Sequence, residues 1–357
     1  MVLRSIQYLR GAAALMVVIY HVYVQLYRLG YSGPLPNFLS IGVDIFFVIS
    51  GFIMWYTTFD DKLTPADFLR HRIIRIVPLY WLVTGFYLFV LLVHPSIMQS
   101  AQFNLYHVIT SFLFIPYPHP AAPEWMWPLV VQGWTLNYEM FFYLLFGLCL
   151  VIPVSWRALA IVTLLVSLAT LQSFGPPANS ILKFYSSSIV LEFAFGVGLA
   201  YLYTRGAALS RFYSVALILA GIAVAVSFSG TLALSRRAID YGIPALFIVA
   251  GAVFFERRRG VPEMTLPKLL GDSSYSLYLT HGMILSAYGQ FWHKFGFPAV
   301  AQPITFLLFS AIGVMIAIIF GVAVYKFIEW PLVRYLSMRF KRKTELLRPK
   351  MQASSSP

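Results

Sequence analysis

A few ionisable side chains stand inside long apolar runs: Arg10, His21, Asp44, Glu139, Glu192, His281, Lys326 and Glu329. Such groups are expensive in hydrocarbon and functional by default. Arg10 and His21 are eleven residues apart. On a helix, eleven steps return to within about 20° of the same face and rise about 16 Å. A guanidinium at the membrane edge and an imidazole near mid-membrane therefore share one stripe. That suits a substrate whose phosphate stays at the surface while its reactive end lies deeper. A snorkelling arginine and a hydrogen-bonded core histidine would fit the same spacing. A neutral imidazole is the natural base for a hydroxyl proton near neutral pH. Glu139 follows Trp134, Thr135 and Asn137 and precedes Phe142 and Tyr143. If the bundle brings Glu139 to His21, a carboxylate would fix the imidazole tautomer. Sequence alone does not place His281 relative to either. Arg70, His71, Arg72 and Arg75 precede Pro78 and Tyr80. Arg72 and Arg75 fall on one helical face. Two guanidiniums there form a phosphate clamp, or simply the positive edge of a cytoplasmic loop.

The elements that must position these residues follow from composition. The 357 residues are 59% hydrophobic and 11% charged, with a mean hydropathy of +0.76. Soluble domains run at roughly 45–50% apolar and 25% charged, so the chain reads as a multi-pass, all-α membrane helix bundle. The lone cysteine, Cys149, excludes a disulfide framework and any CxxC site. The net charge of +13 lies between apolar runs, as membrane topology requires, and does not point to nucleic acid. A span needs about 20 residues. Ten candidates lie near 11–27, 41–57, 77–93, 134–153, 157–173, 187–204, 212–229, 241–255, 274–292 and 304–328. The first reads as a retained span, not a cleaved signal. With the N-terminus in the cytoplasm, 21 Lys and Arg fall inside and five (Arg28, Lys183, Arg236, Arg237 and Lys294) outside. That bias predicts an even number of spans, about ten, and two cytoplasmic termini.

The connection over 94–133 lacks Lys and Arg but carries His94, His107, His119, Glu124, Trp125, Trp127 and several prolines. Asn104 to Ile115 reads as a short amphipathic or re-entrant helix. The loop either roofs a site or forms an interfacial aromatic belt. Residues 1–335 form one transmembrane domain; 336–357 form a basic cytoplasmic tail, read as disordered. The sequence has no HExxH, P-loop, GxGxxG or GxSxG motif and no two histidines at i, i+4, so no metal is expected.

Six short elements then occur in order: Arg10 with His21; Gly42-Val43-Asp44 before Phe46 to Phe52; Arg72, Arg75, Pro78 and Tyr80; Trp134, Thr135, Leu136, Glu139, Phe142 and Tyr143; Ser274, Tyr275, Tyr278, Leu279 and His281; and Glu329 with Pro331. Together they resemble the acyltransferase-3 family of bacterial integral-membrane O-acyltransferases, over roughly residues 4–335. The opening Ser5 to Gly11 is most similar to the exopolysaccharide-production acetyltransferases of that family. The resemblance implies an enzyme of the bacterial inner membrane. It implies acyl-CoA, most often acetyl-CoA, as donor. It implies a hydroxyl of a glycan or lipid-linked saccharide as acceptor, with polysaccharide-biosynthesis proteins as partners. That chemistry asks for a base and for cations to meet phosphates: His21, Glu139 and His281 are the catalytic candidates, and Arg10, Arg72 and Arg75 those for the donor. Ser50, Tyr80, Tyr275 and His281 are candidate oxyanion donors; Asp44, Trp134 and Glu329 are further polar candidates. Direct transfer and an acyl-histidine intermediate both remain open. A polytopic transporter or flippase of a glycan or lipid-linked precursor, or a scaffold without chemistry, would also account for ten helices with intramembrane acids.

Overall fold

The structure is a computed structural model that describes residues 3–60, 63–98, 102–175, 177–227, 236–297, 300 and 302–340. The described residues form helices and no strands; one isolated bridge joins His119 and Ala122. In order the α-helices are α1 Arg4–Arg28, α2 Ile41–Thr58, α3 Pro65–Val93, α4 Leu105–Phe112, α5 Trp134–Cys149, α6 Val154–Thr170, α7 Ser180–Tyr185, α8 Val190–Thr204, α9 Arg211–Ser227, α10 Ile243–Arg259, α11 Thr265–Asp272, α12 Ser274–Lys294 and α13 Pro303–Val324. Each of the ten apolar segments contains one of them. Six stretches are long and apolar enough to cross a membrane: Arg4–Arg28, Asn37–Thr58, Pro65–Val93, Val154–Phe174, Ala238–Arg259 and Pro303–Phe340. The protein is thus an all-helical, multi-pass membrane protein. Helices α5, α8 and α9 are shorter, and the apolar run of the continuous α12 is broken by Ser, Thr, Tyr and His.

Local signals set the helix ends that matter here. Thr64 caps α3 by accepting from the Asp67 amide, with Pro65 in the first turn, where its missing N–H costs nothing. The helix therefore starts well before residue 77. Arg72, Arg75 and Tyr80 ride on one continuous rod. Asn104 caps α4 by accepting from the His107 amide, and the expected short helix forms. Its Leu105, Tyr106 and Ile109 are exposed while His107, Val108 and Ser111 are buried, so it lies flat on the bundle. Helices α2 and α8 meet backbone to backbone. A Cβ on Gly196 would stand 2.1 Å from the Val48 carbonyl oxygen, so only glycine permits that approach.

Arg237, one of the five residues that the charge count places outside, is buried. Its guanidinium grips the Asp44 carboxylate through Nε at 2.8 Å and Nη2 at 2.9 Å, and Nη2 also donates to the Ser40 carbonyl at 3.2 Å. The two side chains are 5% and 0% exposed. A carboxylate within α2 needs a counter-charge, and a π-helical turn at Ala238–Gly242 leads straight on from Arg237 into α10. Asp44 is therefore spent on joining α2 to α10. Lys62 and residues 341–357, most of the basic tail, lie outside the described residues.

Removing one partner of a buried, bidentate pair leaves an uncompensated charge and costs roughly 3–5 kcal/mol. Asp44→Asn should lower the midpoint of thermal unfolding in detergent, and adding Arg237→Met should recover most of the loss. An unchanged midpoint in Asp44→Asn would show that the pair does not hold these helices.

Candidate active site

Five helices converge on a cavity of about 140 Å³. Helix α1 brings Arg10, α2 Ser50, α3 Arg72 and Arg75, α5 Thr135, Glu139 and Tyr143, and α12 Ser274, Tyr275 and Tyr278. Glu139 accepts hydrogen bonds from the Tyr143 hydroxyl and, at 3.4 Å, from Ser50 Oγ. The Arg72 guanidinium lies over the rings of Phe68 and Tyr143 at 5.4 and 5.7 Å. Arg72 Nε and Ser274 Oγ are buried with no partner among the described residues. A second cavity of about 680 Å³ is lined by Arg4, Tyr8, Lys268, Tyr325, Glu329 and Trp330 among others. Arg10, Ile53 and Arg75 line both, so the two spaces adjoin at a pair of guanidiniums. Glu329 accepts from Ser276 Oγ there at 2.5 Å.

The histidines sit further along. His21 and His281, from α1 and α12, meet edge to face with ring centroids 4.6 Å apart. His21 Nδ1 is 2.8 Å from the Val17 carbonyl oxygen, and His281 Nδ1 is 3.3 Å from that of Leu277. A carbonyl can only accept, so in each ring Nδ1 carries the hydrogen and Nε2 the lone pair. The tautomer that Glu139 was expected to set at His21 is set by the helix's own backbone. Glu139 serves Tyr143 and Ser50 instead. The two regions connect through Tyr278. Its ring is 5.8 Å from that of His281, and its hydroxyl is 2.9 Å from Thr135 Oγ1, which lines the inner cavity.

The remaining candidates divide. Ser50, Tyr275 and Glu329 line the cavities, although the Tyr275 hydroxyl is committed to the Ile76 carbonyl at 2.7 Å. Tyr80 lines neither. It donates to the Ser111 carbonyl at 3.0 Å and stacks on Phe114, anchoring the loop beyond α3. Trp134 packs edge-on against Tyr138, and Asp44 is bound by Arg237. Among the described residues no three of His, Cys, Asp and Glu gather as a metal site would need.

The comparisons with known proteins bear on this arrangement. A family model described as "Acyltransferase domain" (acyltransferase-3) matches residues 3–326. The chain belongs to this family. The membrane protein is accordingly an acyltransferase. It is 33% identical over 295 residues to the exopolysaccharide production protein ExoZ of Rhizobium meliloti (strain 1021), which covers 83% of this chain and 90% of that protein. It is 28% identical over 153 residues to protein 2 in the picA locus of Rhizobium radiobacter, over 37% of this chain and 74% of the relative. No solved structure matches.

Sequence reasoning missed one buried polar residue of this acyltransferase beside the histidines. Gln132 lies in the 3₁₀ turn Val131–Gly133 that enters α5, and its side-chain amide presses on Gly282, the neighbour of His281. No periodicity marks a residue in such a turn; its only signal was proximity to Trp134 and Thr135. The preceding loop is built on histidines. His107 Nε2 donates to the Trp127 carbonyl at 2.8 Å, and the His107 and His119 rings are 5.3 Å apart. The indoles of Trp125 and Trp127 stack at 4.9 Å.

Burial pushes both of these loop imidazoles below the usual histidine range, and the neighbouring His107 lowers His119 further. A lowered folded-state value means that the unfolded loop binds protons more readily. The packed loop is therefore fully stable above the ordinary histidine value, about 6.5, and weakens as pH falls below it. Amide protection factors over 105–129, corrected for the intrinsic pH dependence of exchange, should be constant above about pH 7 and fall below about pH 6. Equal protection at both would show that the imidazoles do not hold the loop.

Proposed function

We propose that the protein moves an acetyl group from acetyl-CoA to a hydroxyl of an exopolysaccharide or related cell-surface glycan at the bacterial inner membrane. In this reading ten helices span the bilayer and both termini are cytoplasmic, as the 21-to-five distribution of Lys and Arg supports. The outer cavity then opens toward the cytoplasm, where acyl-CoA is found. The flippase and scaffold readings lose their support, because the family is one of acyltransferases. The glycan acceptor draws on the printed name of the relative, an exopolysaccharide production protein.

The observation that carries the reading is the line of contacts from guanidiniums to imidazoles. Arg10 and Arg75 stand where the two cavities meet, and the inner cavity reaches Tyr278, which touches His281. Arg10, Arg72 and Arg75 hold the donor's phosphates through charge-assisted hydrogen bonds. The partnerless Arg72 Nε and Ser274 Oγ fit a ligand rich in acceptor atoms. The inner cavity admits the end of the donor's pantetheine arm and brings its thioester toward the histidine pair. There His21 Nε2 takes the proton of the acceptor hydroxyl. The acceptor oxygen bonds to the acyl carbon, the carbon–sulfur bond breaks, and the proton leaves on the CoA thiol. Tyr278 and Thr135 border that step.

Loss of a general base typically costs about 10²–10⁴-fold. His21→Ala should therefore lower transfer by that factor in purified protein, while the protein still inserts and accumulates. Normal ester formation by this variant would defeat the assignment. Arg72→Ala should weaken acetyl-CoA binding about tenfold or more, the scale of one charge-assisted contact of about 1.5–3 kcal/mol. Unaltered affinity would leave Arg72 as a topological charge only.

A further inference from the structure

Two buried hydrogen-bond acceptors lie near Tyr278, which lines the inner cavity, with no partner among the described residues. His281 Nε2 is buried and partnerless, and by its tautomer it is a lone pair. Gln132 Oε1 is likewise buried and partnerless. The His21 ring, whose Nε2 also carries a lone pair by its tautomer, is in contact with that of His281. Gln132 is held at this place from both ends. Its carbonyl accepts from Thr135 Oγ1 at 3.1 Å and from the Tyr278 hydroxyl at 3.4 Å. Its amide lies so close over Gly282 that a Cβ there would stand 1.7 Å from Nε2 and 3.2 Å from Oε1.

A buried acceptor left empty is unfavourable, so two close together mark a donor that arrives from outside. The acyl thioester has no hydrogen-bond donor at its reacting end. A saccharide has several hydroxyls on adjacent carbons. We infer that Gln132, with His281, forms an acceptor subsite that recognises a sugar diol. One hydroxyl gives its proton to His21 and receives the acyl group, while its neighbour donates to Gln132 Oε1 or His281 Nε2. Gly282 is glycine because a side chain there would expel the amide. The assignment rests on the acyl-transfer reading above and adds the group that orients the acceptor.

The test uses the full-length protein in nanodiscs with labelled acetyl-CoA and oligosaccharides released from the host's own exopolysaccharide. Gln132→Met fills the same space without an amide. It should raise the acceptor KM about tenfold or more, the scale of a lost buried hydrogen bond, and leave the acetyl-CoA KM within about twofold. Gly282→Ala should do the same by displacing the amide, and the double variant should be no worse than either single one. An unmoved acceptor KM in Gln132→Met, a shift in the donor KM instead, or additive effects of the two substitutions would each overturn the subsite. Failure of the unaltered protein to form any labelled ester would overturn the acyl-transfer reading and this subsite together.

Discussion

Three guanidiniums face two carboxylates within an apolar bundle, and the site is organised around that imbalance. Arg10, Arg72 and Arg75 share their surroundings with Glu139 and Glu329, which touch hydroxyls from Ser50, Tyr143 and Ser276. In a low-dielectric interior such charges act strongly on one another, and an excess of cation calls for an anion from outside. The contrast with Asp44 and Arg237 is instructive. There one guanidinium occupies both carboxylate oxygens, and buried Glu192 lies against the pair. One ionic cluster ties helices together, and the other is left open where two cavities meet.

In the histidine pair, His281 Nε2 adds a buried group without a partner among the described residues. Each ring donates Nδ1–H to the carbonyl one turn back on its own helix, an arrangement that any helical histidine can make without a partner. The backbone thus fixes both tautomers, and the lone pairs are left to a ligand. This frees Glu139 to stay with the arginines. A cation-rich entrance followed by an acceptor-rich end matches the two ends of the proposed reaction, a phosphate-bearing donor and a hydroxyl-bearing acceptor.

Much of this was legible in the sequence, for physical reasons. Long apolar runs can only be helices in lipid, so each expected segment contains one. Thr64-Pro65 and Asn104 are local capping signals that need no tertiary context. Arg72 and Arg75 share a face because helical spacing requires it, and both line the inner cavity. What was not legible is adjacency between distant helices. Asp44 and Arg237 are 193 residues apart, and periodicity says nothing about their meeting. Arg237 therefore counted as a loop charge although it is buried. The partners of Glu139 and the encounter of His21 with His281 were hidden for the same reason. Gln132 was hidden because it sits in a turn, where neither charge nor period distinguishes it.

The proposed donor enters past the arginines and ends at the imidazoles. A cryo-EM map of the full-length protein with a non-cleavable acetyl-CoA analogue tests this most directly. The account expects phosphate density against Arg10, Arg72 and Arg75, and the acyl end beside Tyr278, within reach of His21 Nε2. An analogue bound at the opposite end of the bundle, or an acyl end turned away from both histidines, would contradict it.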